Sequence, residues 1–140
     1  MATKYVLEMD EEQARITIAA LDFWTRMKLG QWKELIELCL SSADYDVEEY
    51  LRRGENAEKL LLKARSEIMP ELSSSLWHSH GVYKFPDTTQ GFNILRAIRS
   101  CIAWHRHPEG GWTVEFDRPM SMHGEALPEC KVKEERVKHE

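Results

Sequence analysis

Residues 90–107 read QGFNILRAIRSCIAWHRH and form the most informative helical segment of the chain. At about 100° per residue, one face of the predicted helix collects apolar side chains together with His105. We predict that this face is the core side, with a cap at Thr88 or Thr89 and an end at Pro108. Its members are Ile94, Ala97, Ile98, Cys101 and His105, flanked by Leu95, Ile102 and Trp104.

The opposite face of the same helix carries three arginines, although the protein is acidic overall. Arginine forks bind phosphate, an aromatic ring stacks on a base, and an amide reads a base edge or a ribose hydroxyl. The pattern indicates an anion site. The alternative that stays open is a solvated face whose arginines pair with nearby carboxylates. The face comprises Phe92, Asn93, Arg96, Arg99, Ser100, Ala103, Arg106 and His107.

Length and composition limit the class of protein. A length of 140 residues predicts one domain, over 1–130, with a charged tail over 131–140. The formal charge of −5 argues against a DNA-coating or RNA-coating protein. No apolar run approaches the roughly 20 residues of a membrane span, and MATKYVLEMDEE has no signal-peptide core, so we expect no membrane partner. Three scattered cysteines predict a soluble protein of a reducing cytoplasm.

Two capping boxes predict the earlier helices. Asp10 with Gln13 begins a first helix that ends at Gly30, and its apolar residues spread over more than one stripe. Such a helix is either buried by its own domain or shared with another subunit, and the short chain favours the second, a homo-oligomer. A second helix is predicted over 31–41. Asp46 starts a third, which we expect to be interrupted at Gly54 and Asn56 and to end before Pro70.

Two segments with strand-like alternation complete the predicted fold. KYVLEM at 4–9 and WTVEFD at 112–117 are expected to pair. The fold class is therefore α+β, mostly helical, with a small antiparallel sheet formed by the N-terminal strand and a late strand. The irregular, aromatic stretch from Pro70 to Gln90 is predicted to be a binding loop, and an extended arm follows Arg118.

Catalytic and metal chemistry have little support in the sequence. His78 with His80 and His105 with His107 suggest zinc, but positions 105 and 107 point about 200° apart on a helix. No nucleotide-binding glycine motif and no paired-cysteine motif is present. We therefore expect no metal, no cofactor and no catalytic residue.

The order of segments resembles the first-described Thoeris anti-defence family of small phage proteins, over about residues 4–130. The segments are KYVLEM, DEEQARITIAALDFWTRMKLGQWKEL, QGFNILRAIR, AWHRHPEGGWTVEFDRPM and ALPEC. Members of that family bind the cyclic ADP-ribose isomers made by bacterial TIR-domain defence enzymes and hold them without cleavage, as sponges. Some members also bind the cyclic di- or trinucleotides of the CBASS defence system. The resemblance implies an α+β fold and paired protomers, a dimer or a dimer-based hexamer, in a bacterial host cell.

The resemblance also implies roles for particular residues. Phe85 or Phe92 would stack on adenine, and Asn93 would hydrogen-bond the base or ribose. Arginines would neutralise the diphosphate. Candidates for this role are Arg96, Arg99, Arg106 and Arg118, and candidates for a second, cyclic-oligonucleotide site are Arg26 with Arg52 or Arg53.

Three functional hypotheses follow. The first is a protein that sequesters cyclic nucleotides, as the resemblance implies. The second is a nucleotide-processing enzyme that uses Glu115, Asp117 or His107 as acid or base. The third is a small phage module that blocks a host protein through its apolar first helix.

Overall fold

The computed structural model describes residues 2–41, 44–72 and 75–134, and within these ranges the protein contains helices but no strand. The described residues form four α-helices and one short 3₁₀ turn. The elements are α1 Glu11–Leu29, α2 Lys33–Leu40, α3 Val47–Ile68, α4 Pro86–Arg106 and the 3₁₀ turn Val114–Phe116. None of these helices is both long enough and apolar enough to cross a membrane.

The chain divides into two compact units. Unit 1 consists of the described residues of Met1–Leu21 and Phe92–Glu140, and unit 2 consists of those of Asp22–Gly91. The helices α1 and α4 each contribute one part to either unit. Residues 135–140, most of the predicted charged tail, lie outside the described residues.

The predicted antiparallel sheet is wrong. Residues 4–9 form neither helix nor strand, and Tyr5, Val6 and Leu7 are largely exposed to solvent. A strand needs a partner for its backbone groups, and alternation in the sequence does not reveal whether one exists. The fold class of the described residues is therefore all-helical.

The second predicted strand is replaced by a turn that packs on α4. The Phe116 amide donates to the Thr113 carbonyl and the Asp117 amide to the Val114 carbonyl, both at 3.1 Å. The indole Nε1 of Trp104 donates to the Phe116 carbonyl at 3.1 Å, and the two rings meet edge to face with centroids 5.5 Å apart. These local hydrogen bonds give partners to backbone amides and carbonyls that would otherwise have bonded to a neighbouring strand.

The boundaries of α1 follow the sequence prediction. Asp10 and Gln13 bond reciprocally, with side chain to backbone distances of 2.8 and 3.0 Å, which completes the capping box. Gly30 ends the helix with a φ of +86°. A Cβ at Gly30 would approach the Leu72 side chain to 2.4 Å, so both the backbone and the packing require glycine here.

The helix α3 runs without a break, so the predicted interruption at Gly54 and Asn56 is wrong. Asp46 caps it, accepting from the Glu49 amide at 2.8 Å. The helix packs against α2, and a Cβ at Gly54 would stand 3.7 Å from the Leu40 side chain. Tertiary packing thus outweighs the low helix propensity of glycine.

One buried arginine holds the irregular segment of unit 2. Arg65 is only 1% exposed, and its guanidinium donates to backbone carbonyl oxygens. The acceptors are the carbonyls of Gly30 at 2.8 Å, Ser75 at 2.5 Å, Leu76 at 3.5 Å and His78 at 2.8 Å. Arg65 therefore ties α3 to the end of α1 and to residues 75–78.

Candidate functional site

The arginine-bearing face of α4 is largely withdrawn from solvent within unit 1. Asn93 is 1% exposed, and Ser100 and Ala103 are also buried, whereas Ile94 on the predicted core side is 38% exposed. The alternative of a solvated polar face, which the sequence left open, therefore does not describe this part of the helix, and the predicted core side is not uniformly buried. We call Phe92, Arg96 and Arg99 the arginine stripe.

Arg96 is held in place by a ring and, at longer range, by a carboxylate. Its guanidinium carbon lies 4.5 Å from the centroid of Phe92, and one terminal nitrogen lies 3.9 Å from an Asp117 carboxylate oxygen. The side chain is 14% exposed. Its Nε is buried and makes no hydrogen bond with any described residue.

Arg99 lies three residues further along the stripe and resembles Arg96 in one respect. Its Nε is also buried without a hydrogen-bond partner among the described residues, and within those residues no carboxylate forms an ion pair with it. A buried donor without an acceptor costs about 1–3 kcal/mol. An acceptor oxygen of a bound ligand would remove that cost.

Asn93 forms hydrogen bonds to the chain that follows α4, so the nitrogen of its side-chain amide is already in use. We call residues 118–130, the predicted extended arm, the arm; they form neither helix nor strand. Asn93 Nδ2 donates to the Met120 carbonyl at 3.1 Å and to a Glu125 carboxylate oxygen at 3.2 Å. Its buried Oδ1 has no partner among the described residues. Only this oxygen remains for a ligand.

Glu125 organises the turn in the arm, a role that the sequence interpretation missed. Its carboxylate accepts from the amides of Met122 at 3.0 Å and His123 at 2.8 Å, and from the Ser121 hydroxyl at 3.3 Å. These bonds, led by the backbone amides, lower the pKa of Glu125 to about 2. The polar cluster before Gly124, whose φ is +79°, was the available signal for a turn.

Arg118 and Arg106, the remaining arginines of the first predicted site, have different surroundings. The Arg118 guanidinium lies 5.0 Å from the Trp104 ring and lines a cleft of about 280 Å³ between α4 and the arm. Arg106 pairs with Glu11, which also binds Arg15. The hydrogen bonds from Arg15 and then Arg106 lower the pKa of Glu11. For Arg106 the alternative of a paired, solvated face is therefore the better description.

The candidates for the second site all belong to unit 2 and all have carboxylate partners. Arg26 lies 2.8 Å from Asp22 and 3.1 Å from Glu34. Arg52 and Arg53 both approach Glu49, at 3.5 and 2.9 Å. Each arginine already contacts a carboxylate, although Arg52 and Arg53 share one, and this weakens the case for an anion site there.

Phe85 also belongs to unit 2, immediately before α4. Its carbonyl accepts from the Thr88 and Thr89 hydroxyls at 2.9 and 3.0 Å. Its ring stands edge-on to His80, with centroids 5.5 Å apart. These contacts anchor the start of the helix, while the predicted stacking of Phe85 on adenine stays a prediction.

The residues considered for catalysis or metal binding are dispersed. Asp117 is directed to Arg96, His107 Nδ1 lies 3.4 Å from Glu109, and Glu115 lies exposed in the 3₁₀ turn. Throughout the described ranges, no group of three His, Cys, Asp or Glu side chains is arranged to hold a metal ion.

Comparison of the chain with protein-family models, with curated proteins and with solved structures finds no match. The arginine stripe and the residues around it are therefore the features that indicate a function.

Proposed function

We propose that the protein binds and sequesters a cyclic ADP-ribose signal without cleaving it, and so acts as a phage anti-defence protein. The observation that carries the proposal is the pair of buried, unpartnered Nε donors of Arg96 and Arg99 on one helix face. A diphosphate offers several acceptor oxygens at the spacing of a guanidinium fork, and charge-assisted bonds of this kind are the strong ones.

The ring beside the arginines adds support for a nucleotide ligand. The Arg96 guanidinium carbon lies over the Phe92 ring, 4.5 Å from its centroid, which restricts the arginine before any ligand arrives. A guanidinium that is already ordered loses less conformational entropy on binding. The unpartnered Oδ1 of Asn93, next along the chain, is an acceptor suited to a ribose hydroxyl or an adenine amino group.

The balance of charge favours cyclic ADP-ribose over cyclic di- or trinucleotides as the ligand. The arginines assigned to the oligonucleotide site, Arg26, Arg52 and Arg53, each have a carboxylate within 3.5 Å. Arg99 has none among the described residues. A new anion at the stripe thus displaces fewer existing ion pairs.

The test is to recover the ligand intact. The purified protein is incubated with a cyclic ADP-ribose isomer, separated from free ligand by filtration, denatured, and the released compound is identified by mass spectrometry. We expect unchanged ligand in a stoichiometric amount. A product of altered mass would support the processing enzyme, and no retained ligand would contradict the proposal.

A further inference from the structure

Two cysteine side chains meet within unit 1. Cys101 lies on α4 and Cys130 at the end of the arm, 29 positions later in the sequence. Both side chains line the cleft of about 280 Å³, and the Cys101 thiol is near enough to raise the pKa of Cys130. All three cysteines are reduced, and the third, Cys39, belongs to α2 in unit 2. The two reduced thiols of the pair therefore face the same cleft.

We propose that Cys101 and Cys130 are a modification site, which forms an intramolecular disulfide by exchange with a small oxidised thiol of the glutathione disulfide class. The thiolate of one cysteine attacks the external disulfide and releases one reduced thiol. The thiolate of the other cysteine attacks the mixed disulfide and releases a second. Two protein thiols are oxidised, one external disulfide is reduced, and the two cysteine protons pass to the leaving thiolates.

The surroundings of the two cysteines favour a disulfide that forms slowly and only after a mixed disulfide is present. Partial desolvation in the cleft, and then the neighbouring Cys101 thiol, raise the pKa of Cys130 to about 11. A thiol in this state is almost entirely protonated at neutral pH, so it does not react indiscriminately with oxidants. The proximity of Cys101 instead makes the second, intramolecular exchange step the favoured outcome once a mixed disulfide exists.

The bond would fasten the arm to α4 at a second point. Asn93 and Glu125 already join them by hydrogen bonds, and a disulfide would close a covalent loop of about 30 residues. Cross-linking a loop of this size restricts the unfolded chain and stabilises the folded one. Formation of the Cys101–Cys130 disulfide does not require the proposed nucleotide ligand.

The test uses the full chain and glutathione disulfide. After incubation for several hours, free thiols are blocked in denaturant by an alkylating reagent, and the intact mass is measured. We expect one disulfide within a single chain and one alkylated cysteine, with Cys39 carrying the label. Trypsin should give peptide 100–106 linked to peptide 107–131, and the thermal midpoint should rise by about 5–10 °C.

Matched variants identify the pair. Cys39→Ser should still form the disulfide, whereas Cys101→Ser and Cys130→Ser should not. Protein oxidised in strong denaturant should lose the preference for this pairing over pairings with Cys39, which separates native proximity from chance. Three alkylated cysteines after prolonged incubation, or bridges that involve Cys39 in the folded protein, would overturn the proposal.

Discussion

The irregular segment of unit 2 and the arm of unit 1 are held by side chains of opposite charge. In unit 2 the cation of Arg65 gathers backbone carbonyls, and in unit 1 the anion of Glu125 gathers backbone amides. Both groups are well satisfied, as structural groups usually are. Arg96 and Arg99 differ, because each has a buried Nε without a partner among the described residues. The contrast separates residues that build the fold from the residues that we propose to bind a ligand.

Removing Arg65 should have the largest effect. Arg65→Met deletes the donors of four carbonyls, three of them within 2.8 Å, and leaves those acceptors buried. We expect a loss of at least about 3 kcal/mol of unfolding free energy, measured by urea denaturation followed by circular dichroism. The matched control is Arg52→Met on the same helix, where an exposed ion pair predicts a change within about 0.5 kcal/mol. Equal effects in the two variants would refute the structural role.

Changing Arg99 should have a much smaller effect on stability. Arg99→Leu puts an apolar side chain in place of a half-buried guanidinium. The Nε of that guanidinium has no hydrogen-bond partner among the described residues, so none of their acceptors loses its donor. The same urea experiment should place it within about 1 kcal/mol of the unmodified protein. A loss as large as that of Arg65→Met would make Arg99 a second structural arginine and would remove the contrast.

The turn held by Glu125 should show the smallest effect, a local one that depends on pH. The folded-state pKa of about 2 lies below the ordinary value of 4.5. Its contribution is therefore complete above pH 4.5 and is lost as the pH falls towards 2. Amide resonances of Met122 and His123 should shift over this window and exchange faster with solvent at its acid end. Glu125→Gln should lack the transition; a transition that persists in this variant belongs to another group.

The sequence predicted the parts of the fold that depend on neighbouring residues. The capping box at Asp10, the cap at Asp46 and the helix end at Gly30 all involve residues within a few positions. The sheet was predicted wrongly because alternation at 4–9 and 112–117 says nothing about a partner strand. The helix α3 passes through Gly54 because packing outweighs local propensity.

The sequence identified residues of the candidate site but not the side chains and backbone groups that surround them. The helical spacing identified Phe92, Arg96 and Arg99 as one face, yet it left open whether that face is an anion site or is solvated. Asn93 and Glu125 are 32 positions apart, and their hydrogen bond depends on the path of the arm, which no local pattern encodes. The acceptors of Arg65 likewise come from separate segments of the chain, so its role was not visible in the sequence.

The most direct test of the central claim is a calorimetric titration of one cyclic ADP-ribose isomer into three proteins. These are the unmodified chain, Arg99→Leu, and Arg15→Gln, which removes an exposed arginine paired with Glu11 in the same unit. We predict equal affinity for the unmodified chain and Arg15→Gln, and at least tenfold weaker binding for Arg99→Leu, since a charge-assisted hydrogen bond contributes about 1.5–3 kcal/mol. Equal affinity in all three proteins, or no binding in any of them, would contradict the assignment of the arginine stripe as the ligand site.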